Sequence, residues 1–413
     1  MKRIAIFTII LLFAGTTIFA QRAADMSFYA QEYNRTGATV NELRDVLLAV
    51  RDENATGIGD FYNMAIKHFI NRLANFTNPR DRVGVEETSR LLIRGIAAEK
   101  HTESAPQVWF LMNFFDIANN TINDGLLMYE ALVCIGQIGA KEYATQIAAM
   151  LQSYNDRGNA DTLAKSRMAR IVPALINALE TLSEPVGVRP IFFVSVGWYD
   201  MEMKNIASNA LQNLMDALGE IIPDIIIGII NDPFTTTGVK NTAWQELLRS
   251  RVSDTAKAKV AAVAFARSYP PTNTNIETVS RFMRMSAIDA IRQFGVADDS
   301  VYPYFERTYR ESYEIANTDF EMIVLLIRTL STIKTDEAVD LLTEFLRGLH
   351  SRRRSGPWGI VERDLMHIII SAIGNTGTES RASIQLLTVI SRASIYTGAE
   401  QQWARDALTA LSR

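Results

Sequence analysis

Cysteine and histidine are both scarce in this sequence. Cys134 is the only cysteine among 413 residues, so no disulfide can form within the chain, and a small disulfide-stapled scaffold is excluded. The fold must instead be stabilised by a hydrophobic core. The four histidines are His68, His101, His350 and His367. None has a second histidine or a cysteine at the spacing of a zinc site, and we therefore expect no bound metal.

Sequence motifs for catalysis and for phosphate binding are missing as well. There is no Gly-x-Ser-x-Gly nucleophile elbow, no Gly-x-x-x-x-Gly-Lys-Ser/Thr phosphate loop and no Gly-x-Gly-x-x-Gly dinucleotide motif. Cys134 lies in the apolar run Ala131 to Ile135, where a thiol behaves as a small hydrophobic group rather than as a nucleophile. We predict a protein without enzymatic activity, without catalytic residues and without a cofactor.

Charge of one sign is not in large excess either. The chain carries 42 Lys and Arg against 46 Asp and Glu, which gives a formal net charge of −4. Such a mildly acidic protein has no electrostatic field that would draw it to nucleic acid or to anionic lipid. We therefore expect neither nucleic acid nor a lipid surface as its partner.

The N-terminus has the three-part pattern of a secretory signal peptide. Lys2 and Arg3 form a short positive region, an almost wholly apolar segment runs from Ile4 to Phe13, and small residues lead towards Ala20. We predict cleavage after Ala20, so that residues 1–20 are a signal peptide and the mature chain is periplasmic or secreted, without membrane insertion. The alternative is an uncleaved anchor, since the apolar stretch is at the lower limit for spanning a bilayer. No cysteine follows directly, which excludes a lipoprotein attachment site.

Beyond residue 25 the apolar residues recur at helical spacing almost everywhere. Leu43, Val46, Leu47 and Val50 fall at i, i+3, i+4 and i+7, which is the pattern of an amphipathic helix with one buried face. Glycine and proline stand mainly between such segments, where they end helices. The exception is Ile191 to Trp198, in which Phe and Val dominate, and there a short hairpin or an extended insert is predicted.

The helices form a repeat. The segments that begin at Ala131, Ala287 and Ile369 each read as an apolar helix, a turn that ends in glycine, a few polar residues and a second apolar helix. The predicted turns are at Gly139, Ser183, Gly219, Ser253, Gly295, Lys334 and Gly377. Their spacing of about 34 to 44 residues matches two helices and two turns. A lone helical hairpin cannot bury both apolar faces, so the hairpins are expected to stack. The alternative is an irregular helical bundle.

The unit from Ala131 to Leu151, Ala-apolar-x-x-Ile-Gly-x-Ile-Gly with a following apolar helix, resembles HEAT and HEAT-like repeats, whose pattern armadillo-type solenoids share. Arg284 and Arg363 match an arginine that this pattern has before its second helix. The resemblance implies an all-α fold, an α-solenoid of stacked antiparallel helix pairs in a right-handed superhelix, with a concave surface that usually binds a protein. It covers residues 85–413, including a closing C-terminal helix. Residues 21–84 are assigned to an N-terminal helical cap.

Two polar or aromatic loops are the candidate partner-binding sites. Arg352, Arg353 and Arg354 stand beside Trp358 in a stretch broken by glycine and proline, and such a cluster suits an anionic group such as a carboxylate or a phosphate. The second candidate is the aromatic loop that contains Trp198. The alternatives are a solvated loop for the arginines and, for Trp198, an insert that packs onto the solenoid.

Three further polar features are assigned structural roles. His367 is expected to be a partly buried histidine beside a charged turn. The pairs Asp298-Asp299 and Asp336-Glu337 follow predicted turns, where carboxylates cap the next helix and interact favourably with its dipole. The alternative for the acidic residues is a pair of carboxylates across a cleft, as a glycosidase requires.

These features predict a non-enzymatic protein–protein interaction scaffold or adaptor in the bacterial cell envelope, with a protein partner whose identity the sequence does not give. Two other classes remain as alternatives. One is a carbohydrate- or peptidoglycan-active α/α-toroid enzyme, which needs facing carboxylates and aromatic platforms in a cleft. The other is a structural envelope component that self-associates.

Overall fold

The computed structural model describes residues 26–53, 55–76, 78, 80–118, 125–157, 165–269, 277–296, 298–314, 318–355 and 358–412. Every regular element in these ranges is an α-helix or a short 3-10 helix, and none of them is a strand. The predicted all-α class is confirmed. The chain divides into two compact units, Met1–Ala217 and Leu218–Arg413.

In the first unit, successive helices pack as pairs. The helices are α1 (26–33), α2 (Val40–Asp52), α3 (Gly59–Arg72), α4 (Arg82–Glu99), α5 (Ala105–Ala118), α6 (Leu126–Gln137), α7 (Ala144–Arg157), α8 (Lys165–Leu182), α9 (Val188–Val196) and α10 (Met201–Leu218). Helix α3 packs on α4, α5 on α6, and α7 on α8. The even-numbered helices α2, α4, α6 and α8 also pack on one another in that order, as α3 does on α5 and α7 on α9. Each of these pairs therefore contacts the next pair in the sequence.

The second unit repeats this arrangement. Its helices are α11 (Ile222–Asn231), α12 (Thr237–Arg249), α13 (Asp254–Arg267), α14 (Glu277–Phe294), α15 (Tyr302–Glu314), α16 (Phe320–Ile333), α17 (Asp336–Ser355), α18 (Ile360–Thr376), α19 (Arg381–Arg392) and α20 (Gly398–Leu411). Each odd-numbered helix packs on the even-numbered helix that follows it. The even-numbered helices α12, α14, α16, α18 and α20 form one continuous row, and α15, α17 and α19 form a second.

The helices bury the faces that their sequence periodicity predicts. Leu43, Leu47 and Val50 are at most 1% exposed in α2. The extended insert predicted for Ile191 to Trp198 is wrong, because most of this segment belongs to α9. Ile191 and Phe192 are completely buried there. A short run of apolar residues that is buried on most sides has no period, and helix and strand then look alike in the sequence.

Six of the seven predicted turns contain a residue with left-handed backbone. Their φ angles are 68° at Gly139, 51° at Ser183, 52° at Gly219, 92° at Gly295, 59° at Lys334 and 65° at Gly377. A left-handed residue after the last turn is a common way to end a helix, and glycine adopts it without steric strain. Ser253 differs: it is the N-cap of α13, and its hydroxyl accepts a hydrogen bond from the amide of Ala256. Lys100, which follows α4, is a further left-handed residue that the predicted series lacks.

Lys334 offers a direct test of this turn geometry. A side chain in the left-handed region costs about 1 kcal/mol relative to glycine, partly offset by the greater freedom of glycine in the unfolded chain. We expect Lys334→Gly to raise the free energy of unfolding by about 0.5 kcal/mol. The control is Gln385→Gly, at an exposed position inside α19, which should lower it by about 0.7 kcal/mol. Urea unfolding measures both, and a lower midpoint for Lys334→Gly would contradict the assignment.

The repeat pattern predicts that Arg284 and Arg363 precede a helix. This is wrong, because they lie inside α14 and α18. Both helices start before their arginine, α14 at Glu277 and α18 at Ile360. The guanidinium of Arg284 lies 3.9 Å from the centre of the Tyr269 ring, and that of Arg363 lies 5.7 Å from the Trp403 ring. Both arginines therefore stabilise aromatic packing between neighbouring helices.

Candidate functional site

The three arginines of the predicted cluster belong to a helix. Arg352, Arg353 and Arg354 lie in the last turn of α17, which ends at Ser355, so the prediction that they stand in a loop is wrong. Glycine and proline disfavour a helix, and in this segment they occur only after the three arginines. Positive side chains at the C-terminal end of a helix interact favourably with its dipole.

Arg353 is held by contacts within the protein. Its Nε and Nη2 atoms donate to the carbonyl oxygen of Ile395, at 3.3 and 3.2 Å. Its Nη2 atom also lies 3.7 Å from a carboxylate oxygen of Glu400, whose side chain is only 1% exposed. The guanidinium stacks 4.7 Å above the ring of Trp358, which is half-buried. Arg353 and Trp358 thus join the end of α17 to the residues that precede α18 and α20.

The other two arginines differ from each other in exposure. Arg352 lies 3.5 Å from Glu362 of α18 and 5.2 Å from the centre of the Tyr313 ring. Arg354 is exposed. The structure therefore brings Arg352, Arg353 and Trp358 together, as the sequence predicts, but two of the arginines already have partners. Arg354 is the most exposed of the three.

Trp198 belongs to the first unit and packs against the end of α7. Its indole Nε1 donates to the carbonyl oxygen of Asn155 at 3.3 Å. Its ring stacks on Tyr199 at 4.2 Å between centres, and the Tyr199 hydroxyl donates to Asn155 Oδ1 at 3.0 Å. Trp198 is half-buried. These contacts favour the packed alternative over an open binding loop.

Cys134 and Asp298 take the structural roles expected of them. Cys134 is completely buried, and burial raises the pKa of its thiol to about 12, which keeps it protonated and unreactive at neutral pH. Asp298 caps the 3-10 helix before α15, since its carboxylate accepts a hydrogen bond from the amide of Ser300 at 2.8 Å. The cap of α17 is Thr335, whose hydroxyl accepts from the amide of Ala338, so the prediction that Asp336 and Glu337 cap this helix is wrong. Both lie in its first turn, where carboxylates interact favourably with the helix dipole.

His367 is exposed rather than partly buried. Its imidazole stacks on Trp403 of α20, with 4.2 Å between ring centres. The difference arises because His367 lies on the face of α18 that looks away from the core, while the neighbouring Met366 and Ile369 are completely buried.

A groove runs across the surface of α14, α16 and α18, and we call it the polar groove. It encloses a volume of about 660 Å³. It is lined by Asp289, Arg292, Leu325, Ile327, Arg328, Ser331, Thr332, His367, Ile368, Ser371, Ala372 and Asn375. Polar side chains predominate, and they come from three successive helices of the even-numbered row. This is the candidate functional site that the sequence did not reveal.

The two outer helices of the polar groove carry different chemistry. On α14, the Asp289 carboxylate accepts hydrogen bonds from Arg292 Nη2 at 2.6 Å and from Gln293 Nε2 at 2.7 Å. The charge of Asp289 is therefore balanced within its own helix. On α18, His367, Ser371 and Asn375 are hydrogen-bonding side chains that are exposed to solvent.

The middle helix contributes the basic residue at the centre. Arg328 of α16 is exposed. Within the ranges that the structure describes, its guanidinium forms neither a hydrogen bond with another side chain nor an ion pair. Ser331, one turn further along α16, donates its hydroxyl to the carbonyl oxygen of Ala372 at 3.2 Å. This hydrogen bond ties α16 to α18 at the base of the groove.

The repeat itself is the signal that locates the polar groove. Asp289, Arg328 and Ser371 each stand the same number of residues before the left-handed residue that follows their helix, which is Gly295, Lys334 or Gly377 respectively. Positions in the same register of stacked helices share one face. An alignment of the helices on their turns would have placed these three side chains side by side.

No protein-family model, no curated protein and no solved structure matches this chain. Within the parts of the chain that the structure describes, no three His, Cys, Asp or Glu side chains lie close enough together to hold a metal ion. None of the helices described has both the length and the apolar character needed to cross a membrane.

Proposed function

We propose that this chain is a non-enzymatic binding scaffold of the cell envelope and that its polar groove receives a protein partner. The observation that carries the proposal is the groove itself. Three neighbouring helices of the even-numbered row, α14, α16 and α18, contribute polar side chains to it from the same register. A small-molecule pocket is usually concave and mostly apolar, whereas most of the side chains that line this groove are polar. It suits the surface of another protein better than a small substrate.

We also propose that the chain forms a HEAT-like α-solenoid. The support for this is that, within each unit, each helix pair packs on the next pair through their even-numbered helices. Stacked repeats of this kind present one row of helices as an extended surface, and neighbouring repeats add side chains to it at regular intervals. The polar groove has this character, since α14, α16 and α18 belong to one row.

The proposal also includes export. The predicted signal peptide, residues 1–20, lies outside the described residues, so the support comes from its positive, apolar and small-residue segments. A periplasmic or secreted location restricts the partner to a protein of the envelope or of the exterior.

Photo-crosslinking at a single groove position tests this function. A photoreactive amino acid is introduced at Ser371, in the groove, or at Gln385, which is also exposed and lies on α19. Both variants are expressed in the native cells and irradiated, and adducts are identified by mass spectrometry in the envelope fraction. We expect one defined protein adduct at Ser371 and none at Gln385.

The other outcomes separate the alternatives. An adduct with a second copy of the chain would support the self-associating structural component instead. An adduct with envelope glycan would favour the carbohydrate-active enzyme. Equal capture of many proteins at both positions would show that the polar groove has no particular partner, and the proposed function would be wrong.

A further inference from the structure

The polar groove is the place where the structure indicates the chemistry of a partner. Its charged side chains are Asp289, Arg292 and Arg328. Asp289 and Arg292 are within 2.6 Å of each other and neutralise one another. Among the Asp, Glu, Lys and Arg side chains of the groove, the formal charge that remains uncompensated is therefore that of Arg328. It lies on the central helix of the groove, and the hydroxyl of Ser371 and the amide of Asn375 on α18 lie on one side of it.

This local charge is opposite in sign to that of the whole molecule. The chain has a formal net charge of −4, so a general attraction for anions is not expected. An exposed guanidinium with free donors matches a carboxylate in a planar, bidentate arrangement. Around it, Ser371 and Asn375 offer a hydroxyl and an amide that hydrogen-bond to peptide groups.

The dimensions of the groove favour a chain segment over a small anion. Packed helices lie about 8–10 Å apart, so a ligand that crosses α14, α16 and α18 spans about 20 Å. An extended peptide rises about 3.3 Å per residue, and about six residues cover this distance. A volume of about 660 Å³ accommodates such a segment along an open groove. A free carboxylate or phosphate would fill only a small part of it.

We infer that the polar groove binds an extended protein segment that carries carboxylates, with a Glu or Asp side chain of the partner pairing with Arg328. This inference rests on the proposed function and specifies the chemistry of its partner. Nucleic acid is the less suitable occupant, because several phosphates in a row require several basic side chains, and only one basic side chain here has an uncompensated charge.

The test uses the full mature chain and two synthetic probes. One is a fluorescein-labelled peptide of three Gly-Ser-Glu repeats, and the other has Gln in place of each Glu. Binding is measured by fluorescence anisotropy at low salt. We expect the Glu peptide to bind with a Kd below about 1 mM and the Gln peptide to bind at least about tenfold more weakly.

Two variants with the same change in net charge then locate the site. Arg328→Gln removes the central arginine, and Arg381→Gln removes an exposed arginine at the start of α19, outside the groove. We expect Arg328→Gln to weaken binding of the Glu peptide about tenfold and Arg381→Gln to leave it within about twofold. Circular dichroism of both variants confirms that they are folded.

Several results would overturn the inference. They are absence of binding by the Glu peptide at about 1 mM, equal binding of the Gln peptide, equal loss in both variants, or tighter binding of a single-stranded oligonucleotide. Failure here is distinguishable from failure of the proposed function. If Ser371 crosslinks one protein whose binding is insensitive to Arg328→Gln, the scaffold function stands and the acidic-segment inference fails. If neither crosslinking nor peptide binding occurs, both fail.

Discussion

Replacement of Gly374 by valine is expected to lower the free energy of unfolding by about 2–3 kcal/mol. Gly374 lies inside α18, where α20 packs closely against it. A Cβ atom at this position would lie 3.1 Å from Ala407 Cα and 3.2 Å from Ala407 Cβ. Because the neighbour is backbone rather than a mobile side chain, the three additional carbons of valine require α20 to shift away from α18.

Gly348 is the matched control for this substitution. It also lies inside a helix of the second unit, α17, but a Cβ atom there would meet nothing within 4 Å. We expect Gly348→Val to raise the free energy of unfolding slightly, by about 0.3 kcal/mol, because valine has the higher helix propensity. Urea unfolding followed by circular dichroism compares the two variants. Equal stabilities would mean that α18 and α20 do not pack as closely as the structure indicates.

The glycines of the repeated unit therefore have two different roles. Gly377 and Gly139 adopt left-handed backbone at the turns, as the sequence predicts. Gly374 and Gly136 precede them by one helical turn and permit a close approach between helices, since a Cβ atom on Gly136 would lie 3.3 Å from Ala178 Cα. The turn role is local and can be read from the sequence. The packing role depends on a residue far along the chain, and the sequence alone does not reveal it.

The helices and their ends were predictable because they depend on local properties. Apolar residues at helical spacing and glycine after the last turn identify most elements, including α18 and the turn at Gly377. Local patterns failed at α9, where a buried apolar run has no period, and at Ser253, where a helix begins at a serine cap without a left-handed residue before it.

The candidate site was less predictable than the fold for the same reason. Three consecutive arginines suggest an exposed charge cluster, yet the partners of Arg353 are Ile395 and Glu400, more than forty residues further along. Conversely, Arg328 is a single arginine in an ordinary amphipathic helix and attracts no notice in the sequence. Its place on a polar face becomes evident only when α14, α16 and α18 are compared with one another, either aligned on their turns or packed side by side.

Tryptophan shows how burial decides between a core and a contact role. Trp244 of α12 is completely buried, and its indole Nε1 donates to the hydroxyl of Ser286 on α14 at 2.9 Å. We expect Trp244→Ala to lower the free energy of unfolding by about 3–5 kcal/mol, because it leaves a large cavity between α12 and α14 and removes one of the two side-chain donors to Ser286.

Trp358 is the control in the same unit. It is half-buried, and its principal contact is the guanidinium of Arg353, 4.7 Å from the ring centre. Trp358→Ala should therefore lower the free energy of unfolding by only about 1 kcal/mol. Thermal and urea unfolding of the two variants measure the difference, and Trp244→Phe, which keeps most of the volume and removes the indole donor, should fall between them. If Trp358→Ala destabilised the protein as much as Trp244→Ala, the ring of Trp358 would be part of the core and unsuitable as a contact for a partner.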